Sequence, residues 1–278
     1  MPAEENDVHH LKPGLLVITL LTVATATAFA QSSEDRMRVG SGAVERDSWT
    51  GQAGGLPIRV VNPHGAIRLR QSGDDSTVEV AAVLQQLEVD GSKLALDVSV
   101  VDDTLVISIL HRDLEGDLIT QQSRTQLARG DLAVLIPAGT PVHAETTFGV
   151  IEARNVHSDI DLETLNGEMR VIRTVGAVTA KSKLGTIEVT LERGATRKPQ
   201  RLSNENGPIT VFTPPDNDLD VTMKTSGSFV TDFSLTVEHH EGKAPNKTAS
   251  ATLGQGGARL VMTSTSGDLG LKQVVNRH

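Results

Sequence analysis

His239, His240 and Glu241 stand together, and this combination of side chains could bind zinc. His240-Glu241 begins like the zinc-binding helix of metalloproteases, in which two histidines four residues apart bind the ion and the glutamate acts as a base. The second histidine would fall at position 244, where the chain has Ala244. The glycine, proline and lysine residues around it also oppose a helix. We therefore interpret the segment as a solvated loop.

Asp216, Asp218 and Asp220 have the spacing of the first ligands in a calcium-binding loop. Val221 stands where such a loop requires glycine, and Gly227 stands where it requires a bidentate glutamate. The segment is better interpreted as a turn that leads into a strand.

The run Gly254-Gln255-Gly256-Gly257 is of a kind that binds phosphate, but Arg259 occupies the place of the third glycine of a dinucleotide-binding loop. The flanking segments also have the pattern of strands, whereas such a loop joins a strand to a helix. There is no Gly-x-Ser-x-Gly motif to present a nucleophilic serine.

The pairs Asp74-Asp75 and Asp102-Asp103 could act as acid and base in glycoside cleavage. Each pair lies at a predicted turn, and adjacent strand residues point to opposite faces, so the solvated-turn interpretation is favoured. Four further histidines show no spacing that would bring them to one ion: His64, His111, His143 and His157. The sequence predicts no catalytic residue, no cofactor and no metal site.

The composition of the 278-residue chain excludes several classes of protein. Without cysteine it forms no disulfide, thiolate metal site or cysteine nucleophile. The formal net charge of -9 shows no basic footprint for nucleic acid. One Trp, five Phe and no Tyr leave few flat side chains for stacking on sugars.

The amino-terminal segment has the layout of a secretory signal. Lys12 precedes an apolar run from Leu15 to Ala30 that ends Ala28-Phe29-Ala30. We predict a signal peptide over residues 1–30, with an uncleaved anchor as the alternative. Residues 31–55 are rich in Gly, Ser and charge without periodicity, which predicts a flexible linker. Residues 56–278 are then the folded domain.

From Leu56 onward, short runs alternate apolar and polar residues, as in Ile58-Arg59-Val60, and this pattern predicts strands with one buried face. From Gly130 onward, similar units follow glycines spaced about 18 to 22 residues apart, with one double interval that contains a predicted inserted loop at 238–250, and Gly65 begins the same pattern earlier in the chain. Each glycine is followed by apolar or small residues two and four positions later. The glycines are Gly65, Gly130, Gly149, Gly167, Gly185, Gly207, Gly227 and Gly267.

Each unit holds two short strands and leaves no room for a helix, so we predict an all-β parallel β-solenoid in which equivalent strands pair in register. The glycines would supply the positive φ needed at its corners. Glu152, Arg170 and Glu188 occupy equivalent positions in consecutive units, and alternating charge is what a stacked outer face prefers.

Three motifs resemble those of the bacterial putative-adhesin family of exported β-solenoid domains: Val61-Asn-Pro-His-Gly-Ala-Ile67, Gly130-Asp-Leu-Ala-Val-Leu-Ile-Pro137 and Gly256-Gly-Ala-Arg-Leu-Val-Met-Thr-Ser-Thr-Ser-Gly267. The resemblance covers about residues 56–273. It implies the same fold and an exported location, and it implies no catalytic residues, because the family has none to carry over.

The function expected from these observations is that of a non-enzymatic, exported protein of the cell envelope or surface, either periplasmic, surface-bound or secreted. Its polar face, rich in Thr and Ser, would bind another macromolecule of the envelope or surface. Two alternatives stay open: an exported carbohydrate-active enzyme built on a β-helix, and an envelope-stress accessory protein that binds a membrane partner.

Overall fold

The structure is a computed structural model that describes residues 35–39, 42–87, 93–112, 115, 117, 118, 128–192 and 198–274. The predicted signal peptide lies outside these residues. Within them the protein is all-β and contains no helix, which confirms the predicted class. The described part accordingly offers no apolar helix of membrane-spanning length.

The described residues form twenty-two strands, numbered in chain order. They are β1 (Asp35–Val39), β2 (Gly42–Gln52), β3 (Ile58–Val61), β4 (Ile67–Gln71), β5 (Thr77–Leu87), β6 (Lys93–Val101), β7 (Thr104–Arg112), β8 (Arg129–Ile136), β9 (Val142–Phe148), β10 (Ile151–Arg154), β11 (Ile160–Asn166), β12 (Met169–Ile172), β13 (Val178–Leu184), β14 (Ile187–Thr190), β15 (Gln200–Asn204), β16 (Ile209–Thr213), β17 (Leu219–Thr225), β18 (Phe229–Thr231), β19 (Thr236–His239), β20 (Lys247–Leu253), β21 (Ala258–Ser264) and β22 (Leu269–Gln273).

The strands make two eleven-stranded sheets that are mostly parallel. Sheet A has the order β1-β2-β5-β8-β4-β10-β12-β14-β16-β22-β18, and sheet B has the order β19-β20-β17-β21-β15-β13-β11-β9-β3-β7-β6. From β9 to β18 the chain alternates between sheet B and sheet A. Alternate side chains of both sheets belong to one continuous buried cluster, so the core lies between the sheets.

The parallel strands pair in the register that the sequence predicts. Ile151 lies opposite Met169, which lies opposite Ile187, so equivalent apolar positions stack in the core. On the outer face Glu152, Arg170 and Glu188 are directly opposite one another, as expected. Arg170 Nε lies 3.6 Å from Glu188 Oε1, whereas Glu152 forms its ion pair with Arg70 of β4.

Chain order does not give the spatial order of the strands at either end of the sheets. The pair β3 and β4 lies between β7 and β8 on one side and β9 and β10 on the other. At the opposite end β21 and β22 lie between β15 and β16 on one side and β17 and β18 on the other. Neighbouring strands near each end of the sheets are therefore not consecutive in the chain. At one end an earlier pair lies between two later pairs, and at the other end a later pair lies between two earlier pairs.

The corner glycines are required mainly because neighbouring backbones approach closely. The predicted reason, a positive φ, is wrong for most of them. Their φ lies in the left-handed region at Gly65 and Gly185, 132° at each, but not at the other six. A Cβ on Gly149 would overlap the carbonyl oxygen of Gly65, and a Cβ on Gly167 would overlap that of Gly149. The column runs in the order Gly130, Gly65, Gly149, Gly167, Gly185, Gly207, Gly267 and Gly227.

A column of buried polar side chains accompanies the glycines on the inner face of sheet B. Asn204 shows its role, because its Nδ2 donates to Gly185 O at 2.9 Å and its Oδ1 accepts from Gly207 N at 3.0 Å. Four members of the column hydrogen-bond in this way to carbonyl groups of the corner glycines that strand pairing leaves open, namely Asn62, Asn204, Thr225 and Ser264. The column comprises Asn62, Thr146, Thr164, Ser182, Asn204, Ser264 and Thr225.

The interpretation of residues 31–55 as a flexible linker is wrong for the part that the structure describes. Strand β2 pairs antiparallel with the whole length of β5, from Gly42 opposite Leu87 to Gln52 opposite Thr77. Trp49 is buried in the core cluster. Pairing with β5 at eleven successive residues stabilises β2 as a strand, although its own sequence lacks a regular apolar alternation.

The predicted inserted loop at 238–250 is also corrected. β19 and β20 form an antiparallel hairpin, so residues 238–239 and 247–250 of this segment lie in strands, and β20 pairs antiparallel with β17 along its full length. Only the residues between His239 and Lys247 connect strands. The hairpin lies beside β17 and thereby covers what would otherwise be the open edge of a parallel strand.

Candidate functional site

A row of polar side chains crosses the outer face of sheet B. Arg59 of β3 lies opposite His143 of β9, and Asp161 of β11 lies opposite the other side of His143. Thr179 of β13 continues the row. Each of the four is flanked by two buried residues, and because side chains alternate along a strand, all four point outward.

This row borders an open groove of about 550 Å³, hereafter the sheet-B groove. Pro57 and Pro141 line it where their strands begin, and Asp159 and Ala177 occupy the equivalent places before the next two strands. Parallel pairing fixes the spacing of these residues, so the groove follows the sheet and does not depend on a loop.

One ion pair and two contacts of His143 connect the polar side chains at the groove. Arg59 Nη2 donates to Glu145 Oε1 at 2.6 Å, and His143 Nδ1 lies 3.1 Å from Asp161 Oδ2. His143 Nε2 lies 3.5 Å from Glu145 Oε2. Two carboxylates therefore flank one imidazole, and Arg59 balances one of them.

Asp159 forms a second charged centre at the border of the groove. Lys198 Nζ donates to both of its carboxylate oxygens, at 2.8 and 2.9 Å, and Ala177 N donates to Oδ1 at 2.9 Å. The hydrogen bond from Lys198, followed by that from the Ala177 amide, lowers the pKa of Asp159 below its ordinary value. Asp159 is therefore an ionised acceptor at neutral pH.

The carboxylate of Asp161 is a hydrogen-bond acceptor in the groove. Asp161 Oδ1 is buried and receives no hydrogen bond from any residue within the described ranges, while its Oδ2 faces His143. Because Oδ1 has almost no exposed surface, a ligand donor would reach the carboxylate through the exposed part of the Asp161 side chain, which is 42% exposed. The chemistry of the groove suits an uncharged or mixed-charge partner that is rich in hydrogen-bond donors.

The histidines that the sequence leaves scattered are in part brought together. His64 and His111 are both buried with ring centroids 5.9 Å apart, and His64 stacks on Phe148 at 5.3 Å. Burial lowers the pKa of His64 below its ordinary value. His143 instead lies in the groove. The described residues contain no group of three or more His, Cys, Asp or Glu side chains placed to hold a metal ion.

Two segments considered as separate ligand sites in fact bind each other. Asp218 Oδ1 accepts a hydrogen bond from Gln255 N at 2.7 Å, and Asp220 Oδ2 accepts one from Gly257 N at 3.1 Å. The carboxylates of Asp218 and Asp220 thus accept hydrogen bonds from amide groups of the glycine-rich run. This contact explains both motifs as parts of a structural turn.

The aspartate pairs lie at turns, as predicted. Asp102 and Asp103 form the two-residue turn between β6 and β7, with φ of 46° and 56°. Asp74 precedes β5, where its Oδ1 accepts a hydrogen bond from Ser76 N at 2.8 Å. That backbone hydrogen bond lowers the pKa of Asp74. Neither pair lines the sheet-B groove.

No sequence motif indicates the groove, because its residues come from separate strands. A usable signal is present: Arg59, His143, Asp161 and Thr179 are the middle residues of four apolar-x-apolar triplets that the strand pattern identifies. Aligning those triplets in parallel register would have placed the four side chains side by side.

Comparison with known proteins gives matches among solved structures alone. No family model matches the chain, and none of the curated proteins compared is similar to it. A cell adhesion protein of Clostridium sporogenes, described as putative, matches 88% of this chain and 100% of its own at 14% identity and a TM-score of 0.43.

Two structures described as putative adhesins also match. The one from Bacteroides fragilis has 11% identity, a TM-score of 0.24 and coverage of 82% of this chain and 97% of its own. The one from Parabacteroides distasonis has 11% identity, a TM-score of 0.20 and coverage of 89% and 98%. These descriptions agree with the resemblance noted in the sequence motifs. The low scores carry no argument about what this protein binds.

Proposed function

We propose that this protein is an exported, non-enzymatic module of the cell envelope or surface, a β-solenoid that binds a macromolecule through the sheet-B groove. The parallel in-register pairing of equivalent positions supports the solenoid, because each unit contributes one strand to each sheet. The observation that carries the binding role is Asp161, whose carboxylate side chain is 42% exposed in the groove beside Arg59 and His143.

A rigid parallel frame favours this role energetically. The groove side chains stand on paired strands whose inner faces are buried, so little conformational entropy is lost when a partner binds. Groove carboxylates are accompanied by Arg59, His143 and Lys198, and this mixed charge favours a neutral polar partner such as a polysaccharide over a polyanion.

The test is a binding screen of purified residues 31–278 against envelope polysaccharides, envelope fractions and host-matrix proteins, with product release from the polysaccharides measured in parallel. For the partner found, Asp161→Ala is expected to weaken binding about 10- to 100-fold, the loss of a charge-assisted hydrogen bond of about 1.5–3 kcal/mol. Asp75→Ala is the matched control, because Asp75 is an exposed aspartate of a turn outside the groove.

Three results would contradict the proposal. Equal affinity of Asp161→Ala and Asp75→Ala would remove the groove as the binding site. Product release that Asp161→Ala abolishes would favour the carbohydrate-active enzyme, for which Glu145 and Asp161 on either side of His143 are the candidate carboxylates. Co-purification with a membrane protein, without polysaccharide binding, would favour the envelope-stress accessory protein.

A further inference from the structure

The sheet edges in the described part of the chain differ in how they are protected. At one end, β18 has three residues and β19 has four. At the other end, β1 has five residues, three of them charged, whereas β6 has nine residues of which only Lys93 and Asp97 are charged. Short or charged edges resist pairing with another chain, while long apolar edges favour it. Within the described ranges, β6 is therefore the edge strand that is least protected against pairing.

The core is incomplete along β6. Four apolar residues of β6 point to the same side of sheet B as the inward residues of β7, and Leu96 pairs with Ile109. The four are Leu94, Leu96, Val98 and Val100. Burial falls along this row: Leu94 is 4% exposed, Leu96 and Val98 are partly buried, and Val100 is 59% exposed. An additional strand beside β6 would cover the half of the row that solvent now reaches.

The hairpin geometry decides which backbone groups of β6 are available. In a two-residue hairpin the closing pair, here Val101 and Thr104, exchanges hydrogen bonds, and hydrogen-bonded and non-hydrogen-bonded pairs then alternate. The N–H and C=O groups of Val100, Val98, Leu96 and Leu94 therefore point away from β7. The apolar row and the available backbone groups belong to the same four residues.

We propose that two copies of this chain pair antiparallel along β6 about a two-fold axis at Val98, which joins their B sheets into one. This register places Leu96 opposite the partner's Val100 and Asp97 opposite the partner's Ser99. A two-fold axis at Asp97 would instead set the two Asp97 carboxylates directly opposite each other, which is unfavourable. The pairing is independent of the sheet-B groove.

Sedimentation analysis of residues 31–278 tests the pairing. The wild type is expected to dimerise as its concentration is raised, and Val100→Lys is expected to stay monomeric, because each copy would place an ammonium beside Leu96 of its partner. Val237→Lys is the matched control: Val237 is a 43%-exposed valine of β19, the edge strand at the other end of sheet B. This control is expected to dimerise like the wild type. A monomeric wild type, or a dimer that survives Val100→Lys, would overturn the proposal.

Cross-linking tests the register, because the chain contains no cysteine and a single substitution introduces the only thiol. Val98→Cys is expected to form an intermolecular disulfide under mild oxidation, since directly opposite residues of a hydrogen-bonded pair lie about 5.5 Å apart between Cα atoms. Ala95→Cys is the control, because six residues of offset along the strand separate its two copies by about 20 Å. Equal cross-linking of both variants, or of neither, would contradict the register.

Discussion

Thr225 and Thr164 occupy equivalent buried positions beside the column of glycines, and the same substitution at the two is expected to have opposite effects. Thr225 is 0% exposed and Thr164 is 2% exposed. The Thr225 hydroxyl donates to Gly267 O at 2.6 Å and accepts from Gly227 N at 2.8 Å. The Thr164 hydroxyl has no hydrogen-bond partner among the residues described.

Thr225→Val keeps the shape of the side chain and removes both hydrogen bonds. Each buried backbone group that loses its partner costs about 1–3 kcal/mol, which gives a range of about 2–6 kcal/mol. The lower half of that range is expected, because the bond to the Gly227 amide is only partly buried. Thr164→Val removes a buried hydroxyl that has no protein partner, so the free energy of unfolding is expected to stay unchanged or rise by about 1 kcal/mol.

Urea unfolding followed by far-UV circular dichroism measures both effects. The midpoint should move to lower urea for Thr225→Val and should stay or move to higher urea for Thr164→Val, with similar slopes. Thr146→Val repeats the second case, since the Thr146 hydroxyl also has no partner within the described ranges. If Thr225→Val and Thr164→Val shift the midpoint alike, hydrogen bonding to the corner does not stabilise the fold as argued.

Three further perturbations test the fold. Gly167→Ala, whose Cβ would overlap Gly149 O, is expected to cost about 1–3 kcal/mol or more in a urea titration, whereas Gly73→Ala, which has open space around it, should be neutral. Because burial lowers the pKa of His64, the neutral imidazole contributes fully to stability above about pH 6.5. This contribution is lost as the pH falls towards the folded-state pKa. As the pH is lowered from 7.5 to 5, the urea midpoint of unfolding should therefore decrease more steeply for the wild type than for His64→Gln, and parallel profiles would contradict this. Trp49→Ala is expected to lower the free energy of unfolding by about 3–5 kcal/mol, and a variant as stable as the wild type would show that β2 is not part of the folded unit.

The strand pattern and its pairing were open to prediction from the sequence because both depend on local alternation and on repetition. Ile151, Met169 and Ile187 follow equivalent glycines, and a register shift of one residue would turn their side chains away from the core. The same reasoning predicted Glu152, Arg170 and Glu188 as outer neighbours. A period of two along the chain thus determined which residues face inward, and the repeat of about 18 to 22 residues determined which strands are equivalent.

The site was not predicted, because its residues belong together only after the strands are stacked. Arg59 and His143 are far apart in the chain, and each taken alone is an ordinary polar residue between two apolar ones. Asp218 and Asp220 show the converse: their spacing resembles that of calcium ligands, whereas their actual partners are amide groups of a distant turn. Side-chain chemistry shows what a residue can bind, but only the stacked strands show what it does bind.

By itself the sequence determined the all-β class, the two faces of each strand and the in-register partners, since burial of alternate side chains requires them. Tertiary structure alone decided the order of the strands at the ends, the pairing of β2 with β5 and the reason for the glycines. These features depend on contacts between segments distant in sequence, where open strand edges and neighbouring carbonyl groups set the outcome. Local periodicity contains no information about such contacts.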